Sequence, residues 1–408
     1  MTAQDSEIVV IGAGPTGSSL AIALAQAGFE TVLIDARDRS APAREDTRNF
    51  AVVTGSWRLL TAIGIAQQLE GETQPLHGLE AVDGGTHWFG APRVLFGDDD
   101  LPDCGEGETL GHMLEAPKLQ AALDEAAASQ DGLTLLAPTL FESYSADPGG
   151  VTVRLSDGST IRARLLIGAD GVCSPVRTAA GIETEGRDYG KSVFAANVKL
   201  SSPHHGIARQ LFTPEGPFAT LPLKGDRANL AWYMKRGAPE ALTKRPVEEV
   251  EAELNHRFSD FSGEMKIDGP MGSYPLILQL AERMYEDRVA LVGDAVRRVN
   301  PLAGQGLNQG FRDVAALYDA LVQGDRAGLD IGSEQVLAGY QAARRFGANT
   351  SALAFDAIDR LFSNDHTLTK PVRSLGLMLA DKVTPLRERI AGFASASSDN
   401  LPSLMRRA

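Results

Sequence analysis

The chain has 408 residues, 43% of them apolar and 23% charged, a balance that fits soluble globular proteins and not disordered, collagen-like or coiled-coil chains. That length exceeds one ordinary core and suits two or three domains. With 53 acidic against 39 basic side chains the net charge is −14, so no general basic field draws a polyanion and no nucleic-acid partner is expected.

Taken in chain order, the pattern opens on a polar start: Thr2, Gln4, Asp5, Ser6 and Glu7 precede any apolar run, so no secretory leader is expected. Glu7 to Ile11 reads as a short buried strand, Gly12-Ala13-Gly14-Pro15-Thr16-Gly17 as a turn, Ser18 to Ala27 as an apolar helix closed by Gly28, and Thr31 to Asp35 as a second strand. This is one βαβ unit of a covered parallel sheet. Further on, Val151 to Leu155 and Thr160 to Ala163 flank an Asp-Gly turn as a hairpin. Ser192 to Leu200, Gly206 to Thr213, Phe218 to Leu223 and Arg227 to Lys235 predict an inserted antiparallel sheet, followed by an amphipathic helix over Pro246 to Phe258. Parallel-sheet character returns at Arg288 to Val292. A long helix is expected from Gln305 to about Leu321, then helical stretches over Glu334 to Phe362 and about Val372 to Lys382.

Three motifs carry chemistry. The first is G-x-G-x-x-G at Gly12, Gly14 and Gly17, with a strand before it and a helix after it. Gly12 permits the tight turn, Gly14 lets backbone approach a pyrophosphate, and Gly17 lets helix pack close to strand; the helix N-terminus then offers free N–H groups to phosphate. Asp35, 18 residues beyond Gly17, is placed to accept hydrogen bonds from both ribose hydroxyls. Its charge disfavours a 2′-phosphate, so the site suits NAD or the AMP half of FAD; the fingerprint does not choose between them. The second motif is Asp170-Gly171 after the strand Leu166 to Gly168. The third is Gly293-Asp294, followed by Gly304, Gly306 and Gly310, three glycines within seven residues at the start of the long helix. They leave backbone N–H groups uncovered, and Asp294 at a strand end faces the crevice where parallel sheets bind ligands.

In this order and at these separations, the three motifs resemble those of the single-component FAD-dependent aromatic hydroxylases similar to para-hydroxybenzoate hydroxylase. Asp46 to Val52, Pro301 to Asp313 and the ending Leu401-Pro402-Ser403-Leu404-Met405 are similar to the ubiquinone-biosynthesis branch of that family. The resemblance implies an α/β fold: a Rossmann-like FAD-binding domain of the glutathione-reductase type over residues 1–75, 105–180 and 280–365, an inserted antiparallel β-sheet substrate domain over 76–104 and 181–279, and a helical C-terminal segment over 366–408.

It further implies that Gly12, Gly14, Gly17 and Asp35 hold the AMP half of FAD, that Arg48 reaches the flavin side, and that Asp170-Gly171 serves FAD and the nicotinamide of NAD(P)H. Asp294 would bind the ribityl chain. Gly293 shapes that turn, and backbone around Gly304, Gly306, Leu307 and Asn308 faces the flavin pyrimidine edge. The implied reaction is hydroxylation of a hydrophobic phenolic ring, a polyprenylated ubiquinone precursor, with NAD(P)H and O2. Another aromatic substrate, or a prenyl-chain flavin reductase of the same fold, stays open. Asn300 and Pro301 are the substrate-side candidates, with Asn300 where the branch commonly has His and Arg297 where relatives often carry His or Gln.

The remaining candidates read blandly. His204-His205 is expected in a surface turn and His112 in a strand, with no metal site, and Cys173 is expected to be a buried free thiol. Cys104 and Cys173 form no C-x-x-C pair, which argues against a disulfide framework or zinc site. Trp57, Trp88 and Trp232 are expected in the core. No run of 18 apolar residues occurs, so the expected location is the cytoplasm; the tail from Lys370 leaves open peripheral contact with the inner face of the membrane, a homodimer or a biosynthetic complex.

Overall fold

Ile8–Ile11 is a run of four β-branched residues, all buried, and such a run is stable only with neighbours on both edges and cover on both faces. It lies at the centre of a six-stranded sheet ordered Tyr285–Glu286, Val289–Leu291, Leu165–Gly168, Ile8–Ile11, Thr31–Ile34 and Leu133–Leu136, parallel throughout except at the first edge. The structure, a computed structural model, describes residues 3–39, 46–84, 93–100, 105, 107–298, 305–344 and 401–407.

The first helix spans Pro15–Gln26, three residues earlier than the apolar pattern suggests. Pro15 has its φ pre-set for a first helical position and needs no N–H there, so the turn of the fingerprint passes directly into helix at extended Gly14. The hairpin forms as expected from Gly150–Leu155 and Thr160–Ala163, with Gly158 at φ +82° in its turn. Its sheet is completed by Phe141–Asp147 on one side and Ala3–Asp5 on the other.

The β-rich region is an eight-stranded sheet ordered Arg297–Arg298, Met265–Ala281, Thr184–Leu200, Arg227–Lys235, Gly216–Leu223, Ile207–Thr213, Gly78–Asp83 and Arg93–Gly97. All its pairings are antiparallel but one, between Ile207–Thr213 and Gly78–Asp83. One face packs under the helix Val247–Ser262, which sets Val250, Leu254 and Phe258 against Phe194, Phe218 and Trp232. Phe258 stacks on Phe218 at 3.7 Å between ring centroids. Because side chains alternate along a strand, every second residue points to the opposite face, and that face is free to build a site.

A three-stranded sheet of Asn49–Val53, Gly111–Glu115 and Gln74–Leu76 packs Val52 and Leu114 into the main core and Ala51, Leu76 and Met113 against Ala208 and Leu223 of the eight-stranded sheet. The long helix runs Gln305–Arg326, one turn beyond the expected end. Residues 334–344 are helical as expected; the rest of that stretch, and the stretch near 372–382, lie outside the described residues. The C-terminal residues return to the main core, with Leu401 and Met405 buried, and Asp319 accepting a hydrogen bond from the Ser403 N–H at 2.9 Å. Among the described residues, no helix is long and apolar enough to cross a membrane.

Candidate active site

The glycine turn is held by contacts that tolerate no side chain. Gly12 sits at φ +103°, and a Cβ there would lie 2.4 Å from the Ala169 carbonyl oxygen; at Gly17 it would lie 1.9 Å from the carbonyl oxygen of Gly12 itself. The two absences let the first helix start directly above the strand end Ala169-Asp170. At Gly14, by contrast, a Cβ would meet nothing within 4 Å. This N-terminus has neither a side-chain cap nor an acidic residue in its first turn, so its positive end is uncompensated. Asp35 braces the turn: its Oδ2 accepts from the Ala13 N–H at 2.6 Å and its Oδ1 from the Arg37 N–H at 2.7 Å.

The second stretch is tied to the first and third. Asp170 Oδ2 accepts from the Val176 N–H at 3.0 Å, while its Oδ1 is buried without a hydrogen-bond partner. Burial pushes this carboxyl's pKa up, against the lowering effect of Ser174 and the Val176 N–H. Gly171, at φ +85°, borders open space. Arg177 donates to the carbonyls of Val172 at 2.8 Å and Ala295 at 2.9 Å, a clamp across the two stretches. Cys173 is exposed, not buried: it lies in the turn closed by the Ser174 N–H to Gly171 carbonyl bond, where its side chain has no core to enter.

The third stretch meets the first at a close crossing. A Cβ at Gly293 would lie 3.0 Å from Thr16, and one at Gly310 2.7 Å from the Thr16 hydroxyl, so both glycines make room for the first helix. Asp294 next to this turn is exposed into the cavity it lines. The protein around it still removes most of the neighbouring water, and this desolvation raises its pKa against the opposing pull of Arg48 and Arg298. Asn308 turns away from the cavity: its Oδ1 accepts from the Val53 N–H at 3.1 Å and its Nδ2 donates to the Ala51 carbonyl at 2.7 Å, pinning the long helix to the strand Asn49–Val53.

Together these stretches enclose a cavity of about 690 Å³. One side of it is made by Gly14, Thr16, Gly171, Asp294, Gly306 and Leu307, with Arg48 at the edge. Arg48 is paired with Asp46 at 2.7 Å and lies 5.8 Å over the Phe50 ring. The opposite wall is the free face of the eight-stranded sheet, where Ala195, Ala231 and Ala219 follow one another in register across three strands and Gln210 pairs next to Ala219. Asn229 and Asn49 join this wall, both donating to Asn197 Oδ1, at 3.0 and 2.8 Å.

Of the residues singled out from sequence, Gly14, Arg48, Gly171, Asp294, Gly306 and Leu307 line the cavity. Gly12, Gly17, Asp35, Asp170, Gly293 and Asn308 support it from behind. Asn300, Pro301 and Gly304 lie outside the described residues. Sequence reasoning missed Arg177, the Asn49-Asn197-Asn229 chain and the alanine row. Only Arg177 and Asn49 stood within quoted stretches, with no role read for either; an alanine in a strand carries no signal.

The other candidates occupy structural positions. His204 Nε2 pairs with the carbonyls of Leu223 and Gly225 at 2.9 and 2.7 Å, and Trp232 is buried. His112 stacks on Trp57 at 4.0 Å, and burial lowers its pKa to about 4. Trp88 and Cys104 lie outside the described residues.

A flavin dinucleotide fits this arrangement on the observations above. Gly14, Gly171 and Gly306, one from each stretch, border space that a Cβ would occupy, two helix N-termini carry no acidic residue in their first turns, and a carboxylate stands between them. Comparison with known proteins agrees. A family model described as FAD binding domain matches residues 5–350. Ubiquinone hydroxylase UbiL of Rhodospirillum rubrum is 38% identical over 94% of this chain and 87% of its own, and 3-demethoxyubiquinol 3-hydroxylase of Escherichia coli 32% identical over 97% and 99%. The crystal structure of p-nitrophenol 4-monooxygenase PnpA from Pseudomonas putida superposes with a TM-score of 0.79 at 20% identity, covering 98% of this chain and all of that one, a likeness of fold. The chain belongs to the FAD-binding-domain family, within it to the branch of ubiquinone hydroxylases.

Proposed function

We propose that this chain is a FAD-dependent monooxygenase that uses NAD(P)H and O2 to hydroxylate the phenolic ring of a polyprenylated ubiquinone precursor. One observation carries the reading. Three separated stretches with the features of a dinucleotide site meet at one cavity, and the facing sheet presents the row Ala195, Ala231 and Ala219 with Gln210 and Asn229 beside it.

Bound FAD supplies the chemistry side chains lack, accepting a hydride from NAD(P)H and activating dioxygen in its reduced form. Gly12, Gly14, Gly17 and Asp35 would hold its AMP half, Asp294 its ribityl hydroxyls and Arg48 the flavin side. The backbone from Gly304 through Gly306 and Leu307 to Asn308 would face the pyrimidine edge, where a helix N-terminus favours negative charge. Asp170-Gly171 would serve the cofactor and, in passing, the nicotinamide. The alanine row excludes water and leaves room for a flat ring against the sheet. Asn300 and Pro301 are read as substrate-side residues. The divisions at 1–75, 105–180 and 280–365, at 76–104 and 181–279, and at 366–408 are proposed as cofactor domain, substrate domain and C-terminal segment, with the last as the surface for membrane, dimer or complex contact.

The test is oxygen uptake by the flavin-loaded chain with NAD(P)H, with and without a short-chain prenylated phenol, followed by mass spectrometry of the product under heavy-isotope dioxygen. One labelled oxygen on the ring is expected. NAD(P)H consumption with a saturated prenyl chain and no oxygen gained would overturn the reading. Asp294→Ala is expected to purify colourless; full flavin content in that variant would remove Asp294 from the cofactor site.

A further inference from the structure

Behind the Gly293-Asp294 turn lies a buried ionic cluster that the proposed chemistry does not use. Asp313, fully buried on the long helix, accepts from the Gly293 N–H at 3.0 Å, from Arg297 Nη1 at 2.8 Å on both oxygens, and from Arg344 Nε at 2.6 Å. Arg344 also donates to Gln309 Oε1 at 2.9 Å. Arg297 and Arg344 are each only 6% exposed. Arg312, the neighbour of Asp313, makes no ion pair among the described residues. Burial, aided by Arg344 and Arg297, lowers its pKa to about 10, which leaves it cationic at neutral pH. Two buried guanidinium groups thus face the one carboxylate of Asp313, with the half-buried Arg312 next to it, so that cations outnumber the carboxylate at this point among the described residues.

A buried ion pair is weak evidence of a stabilising purpose, because desolvation offsets its attraction, and a charge surplus is costlier still. The surplus therefore invites a functional account, and its position supplies one. Asp313 is bonded directly to the turn that presents Asp294 to the cavity. Arg297 and Asp313 are both close enough to Asp294 to shift its carboxyl. Arg312 and Asp313 stand about two turns along the same helix whose first residues, Gly306 and Leu307, line the cavity. Charges so placed act through low-dielectric protein, where salt screens them little.

We infer that the Arg297-Asp313-Arg344 cluster, with Arg312, is a positioning and electrostatic unit that holds the Gly293-Asp294 turn and raises the reduction potential of the bound flavin. The inference rests on the FAD reading above. A hydride from a nicotinamide donor brings two electrons and one proton and leaves the oxidised nicotinamide behind, so the flavin ring system gains one negative charge. Positive charge behind the pyrimidine-edge helix favours the reduced form over the oxidised one.

The experiment is a spectroelectrochemical titration of flavin-loaded wild type, Arg297→Gln, Arg344→Gln and Arg312→Gln, with exposed Arg154→Gln as control. The three variants are expected to move the midpoint potential to more negative values, the buried Arg297 and Arg344 ones equally at low and high salt; the control is expected to match wild type. Arg297→Lys, which keeps the charge, is expected to return the potential toward wild type, which a purely packing role would not do. Arg312→Gln orphans no carboxylate among the described residues and so gives the measurement in a folded chain. Unchanged potentials in the flavin-loaded variants would overturn the proposal, as would failure of all three to fold, which would assign the cluster to structure. Wild type that takes up no FAD is a different outcome, and it would overturn the proposed function instead.

Discussion

The two walls of the cavity are built on opposite rules. On the nucleotide side of the proposed site, backbone packs tightly: Gly12 against the backbone of Ala169, Gly17 against that of Gly12, and Gly293 and Gly310 against the Thr16 side chain. Specificity there lies in where side chains are missing. On the sheet side, ordinary alternation points Phe194, Phe218 and Trp232 into a core under one helix, and the small residues between them form the wall. Gly12 and Gly17 behind the first wall leave no room for a side chain, whereas the second wall is itself made of side chains, so that exchanging one changes the shape of the cavity. On the proposed reading, constrained backbone would grip the cofactor and side-chain volume would select the substrate.

The contrast can be broken most severely at Gly17. Gly17→Val places a branched side chain where even a Cβ lies 1.9 Å from a carbonyl oxygen, and a loss of about 3 kcal/mol or more, with no retained flavin, is expected in denaturant melts. Wild-type stability in that variant would refute the close approach. Next comes Asn308→Ala, which leaves the Val53 N–H and the Ala51 carbonyl without their partner. About 2 kcal/mol of stability should be lost, since a buried polar group left unsatisfied costs on the order of 1–3 kcal/mol.

On the sheet side, Ala219→Leu is expected to leave flavin content and melting temperature near wild type while lowering kcat/KM for the phenol about tenfold or more, since it adds three carbons to a pocket where one methylene is worth about tenfold. Equal loss of flavin and turnover would show that the two walls are not separable.

The smallest effect is a pH dependence. Desolvation raises the Asp294 carboxyl above its unfolded value, so the folded apoprotein binds more protons than the unfolded chain between the two pKa values. Stability therefore falls as pH rises through that window, and Asp294→Asn apoprotein should melt above wild type at neutral pH, with the difference vanishing below about pH 3. A variant that melts lower at neutral pH would mean the carboxylate is stabilising.

The same contrast governs what can be read from the residues alone. The glycine fingerprint, Asp170-Gly171 and Gly293-Asp294 are legible because a backbone that must pass close to a ligand or another chain segment permits few residue types. The core strands Ile8–Ile11 and Leu165–Gly168 are legible because burial on both faces leaves an unbroken apolar run. Gly78–Asp83 and Arg93–Gly97, which extend the large sheet, and Met265–Ala281, which runs along its other half, carry no such run: the first is half-buried between its ends, the second alternates exposed with buried over only five residues, the third is broken by glycine and proline, and pairing partners far away in sequence decide their state. Cys173 was misplaced for a related reason. Its fate depends on a turn hydrogen bond, not on its own preference for burial. The Asp313 cluster is invisible in sequence because Arg297, Asp313 and Arg344 meet only once the long helix and residues 334–344 have packed.

The central claim, that three distant stretches close on one flavin beside the alanine wall, is tested most directly by amide hydrogen exchange on the apoprotein and the FAD-loaded protein. Added protection is expected together at residues 12–17, 169–172 and 293–298 and at the first turns of the helix Gln305–Arg326, with the helix Val247–Ser262 unchanged. Protection confined to 12–17, with the other stretches exchanging as in the apoprotein, would contradict it.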